Sequence, residues 1–187
     1  MDAALSEAVV ALRRGGLVVY PTDTLLGLGA LARDRRAVDR LIAAKGRPPT
    51  QPISVCVSST EEVERYATVS PSARRFLRRH LPGPFTVLLA PSSEARRTFA
   101  TSVGGSGAVG FRIPDHPTAR ALARAAGPLT ATSANRHGTR PSRTLAEARR
   151  SLGDAVRVYL RSPPAGSGLP STLVDLTGPE PRVIRRS

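Results

Sequence analysis

Short apolar runs rich in β-branched residues alternate along this chain with segments of helical periodicity, and this alternation constrains the fold more than any other feature. Eight runs have the length and composition of strands, at residues 17–20, 53–57, 85–90, 109–113, 129–132, 156–160, 172–176 and 182–185. Strands separated by helices are typical of an α/β domain. Only 19 residues follow the low-complexity stretch 163–168, so we expect the last two runs to return to the same sheet.

Helix starts are marked by residues that can cap a first turn. Such a residue precedes a helical pattern at Asp34, Ser59, Ser70, Asp115 and Thr144. Ser59 and Thr144 are each followed three residues later by a glutamate, which is the capping-box pattern. Apolar residues also recur at helical spacing before the first strand. The sequence therefore predicts helices between several of the strands.

Length and composition limit the organisation of the chain. With 187 residues, 40% of them hydrophobic, we expect one domain over residues 1–187. Cys56 is the only cysteine, which excludes an internal disulfide and fits a reducing cytoplasm. The three histidines lie far apart in sequence, so we predict no protein metal site. Neither a membrane span nor a signal peptide is expected, because no run approaches 18 apolar residues and the first eight residues include acidic and polar ones.

The net charge of the chain is strongly positive. The formal charge is +14 and the pI is about 11.6, so the protein should attract polyanions such as nucleotides and RNA. Basic residues spread over a solvated surface would give the same numbers, since no run of five or six like charges occurs. Charge alone does not decide between these interpretations.

One basic residue differs from all the others. Of 28 basic residues, Lys45 alone is a lysine, and it lies two residues before Arg47 in a stretch that cannot stay helical before Pro48. An ammonium is a compact charge, whereas a guanidinium is planar and can donate two parallel hydrogen bonds. Together the two groups suit a polyphosphate. The chain has neither a Walker A loop nor a complete dinucleotide fingerprint. Chance within an arginine-rich composition is the alternative explanation.

Three strand ends carry polar groups suited to a ligand. Residues 20–24 read Tyr-Pro-Thr-Asp-Thr before the apolar, glycine-punctuated turn 25–29, and residues 132–135 read Thr-Ser-Ala-Asn. Arg112 ends an otherwise apolar strand, where a guanidinium needs an anion or an exit to solvent. Ligands of α/β proteins bind at strand ends. The same hydroxyl and amide groups also suit turns or helix caps, and both interpretations stay open here.

Six segments in this order resemble the YrdC-like family of threonylcarbamoyl-AMP synthases. They read Gly-Leu-Val-Val-Tyr-Pro-Thr-Asp-Thr at 16–24, Lys-x-Arg at 45–47, Pro-Gly-Pro-Phe-Thr at 82–86, Val-Gly-Phe-Arg-Ile-Pro at 109–114, Thr-Ser-Ala-Asn at 132–135 and Ser-Thr-Leu-Val-Asp at 171–175. Each segment alone is weak evidence, and the ordered set covers nearly the whole chain. The resemblance implies a twisted, open, mixed sheet flanked by helices around a basic concave pocket, in the short single-domain form of the family.

The same resemblance implies substrates and site residues. The reaction would convert L-threonine, bicarbonate or carbon dioxide, and ATP with Mg²⁺ into threonylcarbamoyl-AMP and pyrophosphate, for threonylcarbamoyladenosine in tRNA. By similarity, Lys45 and Arg47 are the candidate catalytic residues. The residues expected to bind ATP are Lys45, Arg47, Gln51, Ser133, Asn135, Ser142 and Arg185, and those expected to bind threonine are Thr24, Cys56, Arg112 and Ser171. Downstream transfer proteins and tRNA itself are the implied macromolecular partners.

The chain departs from the family pattern in two places. Cys56 stands where many relatives have a histidine, and Ser187 ends the chain where relatives commonly have a glycine after the final arginine motif. We also expect the C-terminal domain of longer members to be absent. Two other functions compete: a domain of the carbamoyltransferases that form a carbamoyl-adenylate, and a non-catalytic RNA-binding module.

Overall fold

The computed structural model describes residues 2–105, 107–161 and 166–186, and strands from all three ranges form one sheet. The strands are β1 Val18–Tyr20, β2 Gly27–Gly29, β3 Ser54–Cys56, β4 Ala67–Thr68, β5 Phe85–Pro91, β6 Val109–Arg112, β7 Leu129–Ser133, β8 Val158–Tyr159, β9 Thr172–Asp175 and β10 Arg182–Arg185. Their order across the sheet is β10-β9-β5-β6-β3-β7-β2-β1-β8, and β4 pairs with β5 outside this path. Strands far apart in sequence thus meet at the centre of the sheet.

The sheet is mixed, as the resemblance implies. Strand pairs β3–β6, β5–β9 and β1–β8 are parallel, and the remaining neighbours are antiparallel. All eight strands predicted from the sequence are present, and none of their ends differs by more than two residues. The return of the chain after the low-complexity stretch is confirmed, because β9 pairs with both β5 and β10. Residues 162–165 of that region lie outside the described residues.

Helices connect most of the strands. They are α1 Ala3–Arg13, α2 Arg35–Lys45, α3 Thr60–Tyr66, α4 Pro71–His80, α5 Ser93–Thr98, α6 Pro117–Ala126 and α7 Leu145–Leu152. Four predicted caps are confirmed: the side chains of Asp34, Ser59, Ser70 and Thr144 each accept a hydrogen bond from the backbone of the first turn. The described helices are too short or too polar to cross a membrane.

Some predictions of local structure were wrong or incomplete. His116, and not Asp115, occupies the N-cap position of α6. Only Thr144 forms the complete capping box, since the carboxylate of Glu62 binds Ser58 instead of the Ser59 backbone. The sequence interpretation also missed β2, β4 and α5, three elements of two to six residues. The predicted turn 25–29 contains β2, because Gly27 and Gly29 pair with β1.

Hydrophobic residues cover both faces of the sheet. Val18 and Tyr20 belong to one buried cluster with α1 and α6, whereas Val19 belongs to a second cluster with α2, α3 and α4. This division follows the two-residue alternation of side chains along a strand. The glycines of β2 leave room for the Tyr20 ring, since a Cβ atom at Gly27 would lie 2.7 Å from it. The ring can therefore lie flat against β2.

Candidate active site

A cavity of about 520 Å³ lies on the face of the sheet that also carries α1 and α6. Alternate residues of the central strands line it: Ser54 and Cys56 from β3, Thr86 and Leu88 from β5, Ala131 and Ser133 from β7. The turn after β1 and the residues around β9 and β10 complete the wall. The cavity therefore gathers residues from most of the length of the chain.

Most of the residues predicted for the site meet in this cavity. Its lining includes Thr24, Arg47, Gln51, Cys56, Arg112, Ser133, Ser171 and Arg185. It does not include Lys45, Asn135 or Ser142, and Ser142 lines a separate pocket beside α7. Five further polar residues line the cavity that were not assigned to the site from the sequence, namely Tyr20, Thr22, Ser54, Thr86 and Thr132. All but Ser54 lie within motifs identified in the sequence, and the two-residue alternation along β3, with Cys56 already assigned to the site, could have identified Ser54.

Lys45 supports the wall of the cavity. The residue is 4% exposed, and its Nζ donates to the backbone oxygens of Ser133 and Asn135 at 2.5 and 2.6 Å. These bonds use two of the three N–H groups of the ammonium. Lys45 ends α2, so it ties the end of that helix to the segment that follows β7. The lone lysine holds a polar strand end in place.

The side chains of Asn135 and Ser142 also stabilise the segment that follows β7. Asn135 Nδ2 donates to the carbonyl oxygens of Arg136 and Thr139, both at 2.8 Å. Ser142 Oγ donates to the Ala134 carbonyl at 2.7 Å. Asn135 Oδ1 is buried and has no hydrogen-bond partner among the described residues. The segment after β7 therefore keeps one unused acceptor close to the cavity wall.

Three guanidinium groups line the cavity, and two of them have unused donors. Arg47 Nη2 donates to the carbonyls of Gln51 and Pro52 at 3.2 and 3.0 Å, and Arg185 Nη2 donates to the Ser171 carbonyl at 2.9 Å. The Nε atoms of Arg47 and Arg112 are buried without a partner within the described part of the chain. Each of these two guanidiniums therefore keeps one buried N–H group that the described residues leave unused.

The directions of the hydrogen bonds that the Thr22 and Thr24 hydroxyls donate are fixed by their surroundings. Thr22 Oγ1 donates its only proton to the Leu25 carbonyl at 2.6 Å. The hydroxyl of Thr24, 3.1 Å away, must therefore donate to Thr22 Oγ1. This leaves the lone pairs of Thr24 Oγ1 as acceptors in the cavity. Across the cavity, Thr86 Oγ1 and Ser171 Oγ share a hydrogen bond of 2.7 Å.

Cys56 contributes a neutral side chain to the cavity wall. It is completely buried, and burial raises the pKa of its thiol to about 12 although the charge of Arg112 acts in the opposite direction. Burial likewise raises the pKa of the neighbouring Tyr20 well above its usual value. A thiol that stays protonated is a poor nucleophile. Cys56 is therefore a neutral, unreactive part of the wall.

A family model covering the Sua5, YciO and YrdC proteins, described as "Telomere recombination", matches residues 10–187. The chain belongs to this family. A relative from Mycobacterium tuberculosis is 40% identical over 180 residues, which cover 96% of this chain and 82% of the relative. The threonylcarbamoyl-AMP synthase of Halorhodospira halophila is 35% identical, with 90% of this chain and 88% of that protein covered.

The fold agrees with that of a solved member of the Sua5/YciO/YrdC family. The crystal structure of P. abyssi Sua5 with L-threonine superposes with a TM-score of 0.89 at 31% identity, over 97% of this chain. This chain spans about half of that Sua5 chain, since 53% of it is covered. The mixed, helix-flanked sheet predicted from the sequence is thereby confirmed as that of the family.

In this member of the Sua5/YciO/YrdC family, the protonation of Lys45 should be directly measurable. Burial, and to a lesser extent the charge of Arg47, lowers the pKa of the Lys45 ammonium from 10.5 to about 8. Because Lys45 is the only lysine, side-chain labelling with ¹³C at Cε should give one lysine signal that titrates near pH 8. Addition of ATP should raise this midpoint, since a polyphosphate favours the ammonium. A midpoint near 10.5 would contradict the buried, carbonyl-bound position.

The same shift makes part of the stability depend on pH. Between pH 8 and 10.5 the unfolded chain binds a proton at Lys45 that the folded chain does not. The contribution of Lys45 to the free energy of unfolding should therefore rise with pH across that window and be smallest below it. Lys45→Met, which cannot titrate, should lack this rise when wild type and variant are melted at the same pH values.

Proposed function

We propose that this protein is an L-threonylcarbamoyladenylate synthase, which converts L-threonine, bicarbonate or carbon dioxide, and ATP into threonylcarbamoyl-AMP and pyrophosphate. The observation that carries the proposal is the group of guanidiniums, those of Arg47, Arg112 and Arg185, that line one cavity. Guanidiniums suit anionic groups, and threonine and ATP bring a carboxylate and a polyphosphate. The names of the relatives support this assignment.

Threonine is proposed to bind at the Arg112 end of the cavity. Its carboxylate accepts from Arg112, and Thr24 Oγ1 offers an acceptor to the amine or to the side-chain hydroxyl of the substrate. Ser171 adds a hydroxyl from the opposite wall, and Cys56 adds neutral surface between them. An arrangement of one cation beside several hydroxyls suits a small polar amino acid.

ATP is proposed to bind between Arg47, Arg185 and the segment after β7. The two guanidiniums neutralise phosphate oxygens, while Ser133, Asn135 and Ser142 belong to a segment that offers hydroxyl and amide groups. Gln51 lies beside Arg47 on the same loop. Lys45 acts by holding the carbonyls of this segment, and its charge adds to the local positive field.

The proposed reaction depends on the positioning of the substrates and on the neutralisation of their charge more than on a general base from the cavity wall. The ammonium of threonine gives one proton to water, and the resulting amine adds to carbon dioxide and releases a second proton to water, which forms the carbamate. A carbamate oxygen then attacks the α-phosphorus of ATP, the bond to the bridging oxygen breaks, and pyrophosphate leaves with that electron pair. The guanidiniums stabilise the negative charge that moves onto pyrophosphate.

Magnesium is proposed to enter as part of the ATP substrate. The described residues contain no group of three or more His, Cys, Asp or Glu side chains that could hold a metal ion. The cavity lining offers hydroxyl and carbonyl oxygens instead, and Mg²⁺ commonly keeps water and substrate phosphates as its main ligands. The ion would supply charge neutralisation at the phosphates.

The product is a reactive mixed anhydride, so a partner must consume it. We propose that tRNA threonylcarbamoyl-transfer proteins take it up to modify tRNA, that tRNA is a further partner, and that the protein acts in the cytoplasm. The charge of +14 would favour contact with tRNA.

The decisive assay measures pyrophosphate release from ATP with threonine and bicarbonate, each also omitted in turn, and identifies the adenylate by mass spectrometry. We expect release only when all three substrates are present. Release with carbamoyl phosphate in place of threonine and bicarbonate would favour the carbamoyltransferase alternative. Salt-sensitive RNA binding without any turnover would favour the RNA-binding module.

A further inference from the structure

Arg112 already has an anionic partner in the substrate-free cavity. Its Nη2 donates to Asp23 Oδ1 at 2.7 Å, and the two side chains are 11% and 15% exposed. Asp23 does not line the cavity, whereas Arg112 and the residues on either side of Asp23, Thr22 and Thr24, do. The carboxylate therefore holds the guanidinium from outside the space that a substrate would fill.

The contact between these two residues uses only part of each group. Arg112 Nε and Asp23 Oδ2 are both buried and have no hydrogen-bond partner among the described residues. A guanidinium on a long side chain samples many rotamers unless a fixed group restrains it. One bond from Asp23 restrains the guanidinium and leaves the Nε donor unoccupied. The guanidinium thus keeps one direction while the residue lines the cavity.

Asp23 is itself held by a distant segment of the chain. The amides of Gly166, Ser167 and Gly168 donate to the carbonyls of Thr22, Asp23 and Thr24 at 3.0, 3.0 and 2.9 Å. A Cβ atom at Gly166 would overlap the carbonyl carbon and oxygen of Asp23. Only glycine allows this approach, so the segment 166–168 depends on Gly166 to reach the turn after β1.

We propose that Asp23 is a positioning residue: held by the segment 166–168, it orients the Arg112 guanidinium toward the incoming amino-acid carboxylate. This rests on the proposed function for the identity of the amino acid. Asp23 makes no contact with substrate and acts through Arg112. Its removal should therefore weaken the use of threonine and leave the use of ATP nearly unchanged.

The test compares Asp23→Ala with Asp23→Asn in steady-state kinetics. Asp23→Ala should raise the KM for threonine about tenfold to hundredfold, the scale expected when a binding group is misplaced by about 1 Å. The KM for ATP should change less than about twofold, since Arg47 and Arg185 are untouched. Asp23→Asn keeps an oxygen acceptor for Nη2 and should recover most of the loss. Glu94→Gln, which removes a carboxylate from the surface pair with Arg65, is the matched control and should behave as wild type.

A second pair of variants tests the link to the distant segment. Gly166→Ala should raise the KM for threonine in the wild-type background and add little in the Asp23→Ala background, because both changes act through one contact. Gly178→Ala is the control, since a Cβ atom there meets nothing within 4 Å. Additive effects of Gly166→Ala and Asp23→Ala would overturn the role of the segment.

An unchanged or lower KM for threonine in Asp23→Ala would overturn the positioning role while the proposed function stands. If the wild-type protein makes no threonylcarbamoyl-AMP, the proposed function fails and the positioning role is decided by structure. In that case, crystal structures of substrate-free wild type and Asp23→Ala are compared. Displacement of the Arg112 guanidinium in the variant supports the role, and an unmoved guanidinium refutes it.

Discussion

Arg112→Ala should nearly abolish the use of threonine at a fixed, moderate threonine concentration while ATP still binds. The substrate carboxylate would lose its charged partner in a largely enclosed site, a loss on the order of 2–5 kcal/mol, or about 30-fold to several thousandfold in affinity. Calorimetric titration of each substrate separately should show the loss for threonine alone. Unchanged threonine affinity would mean that Arg112 is structural or faces a different ligand.

Stability must be followed in the same experiment. Arg112→Ala leaves the Asp23 carboxylate, 15% exposed, without its cationic partner, which by itself destabilises the fold. The double variant Arg112→Ala with Asp23→Ala removes this unpaired charge and is the appropriate control. It should melt at a higher temperature than the single variant and still fail to use threonine, which separates the loss of binding from the loss of folding.

Lys45→Ala should lower pyrophosphate release by about 100-fold or more, the scale of losing one positioned donor group in an active site. The ammonium holds the Ser133 and Asn135 carbonyls, so its loss lets the phosphate-facing segment move. The structure also predicts a stability cost of about 1–3 kcal/mol, since two buried carbonyls lose their donor.

Two further substitutions separate charge from shape at this position. Lys45→Met keeps most of the volume and removes the charge, so it should lose turnover with a smaller loss of melting temperature than Lys45→Ala. Lys45→Arg keeps the charge but must fit a planar guanidinium into a position that is 4% exposed, and it should be intermediate in turnover. Pyrophosphate release at wild-type rate in Lys45→Ala would show that neither the charge nor the carbonyl contacts matter.

Much of the secondary structure could be predicted from the sequence because the signals are local. Apolar alternation marks the strands that were found, and Thr144 with Glu147 marks a helix start within four residues. The elements that were missed are short: β4 has two residues, and β2 has three, of which two are glycines. Such segments carry too few side chains for a periodic signal, and only their strand partners make them strands.

The candidate site was partly predictable for a different reason. The family resemblance gave eight of the residues that line the cavity, and five of these lie within the ordered motifs. Ser54 lies outside the motifs, and Thr86 and Thr132 lie within them but were not assigned to the site, because polar residues within or beside a strand are equally common on a solvated face. Register decides which face they share, and register is a property of the whole sheet.

Local sequence signals predicted the α/β class, eight of the ten described strands, four of the helix caps, and the set of basic and hydroxyl side chains available to a phosphate and a carboxylate. Tertiary structure alone decided what these side chains do. Lys45 meets carbonyls 88 and 90 residues away, Arg112 meets an aspartate 89 residues away, and Thr86 meets a serine 85 residues away. Side-chain hydrogen bonds extend about 3 Å and local sequence patterns extend a few residues along the chain, so contacts of this separation exist only once the sheet has brought its strands together.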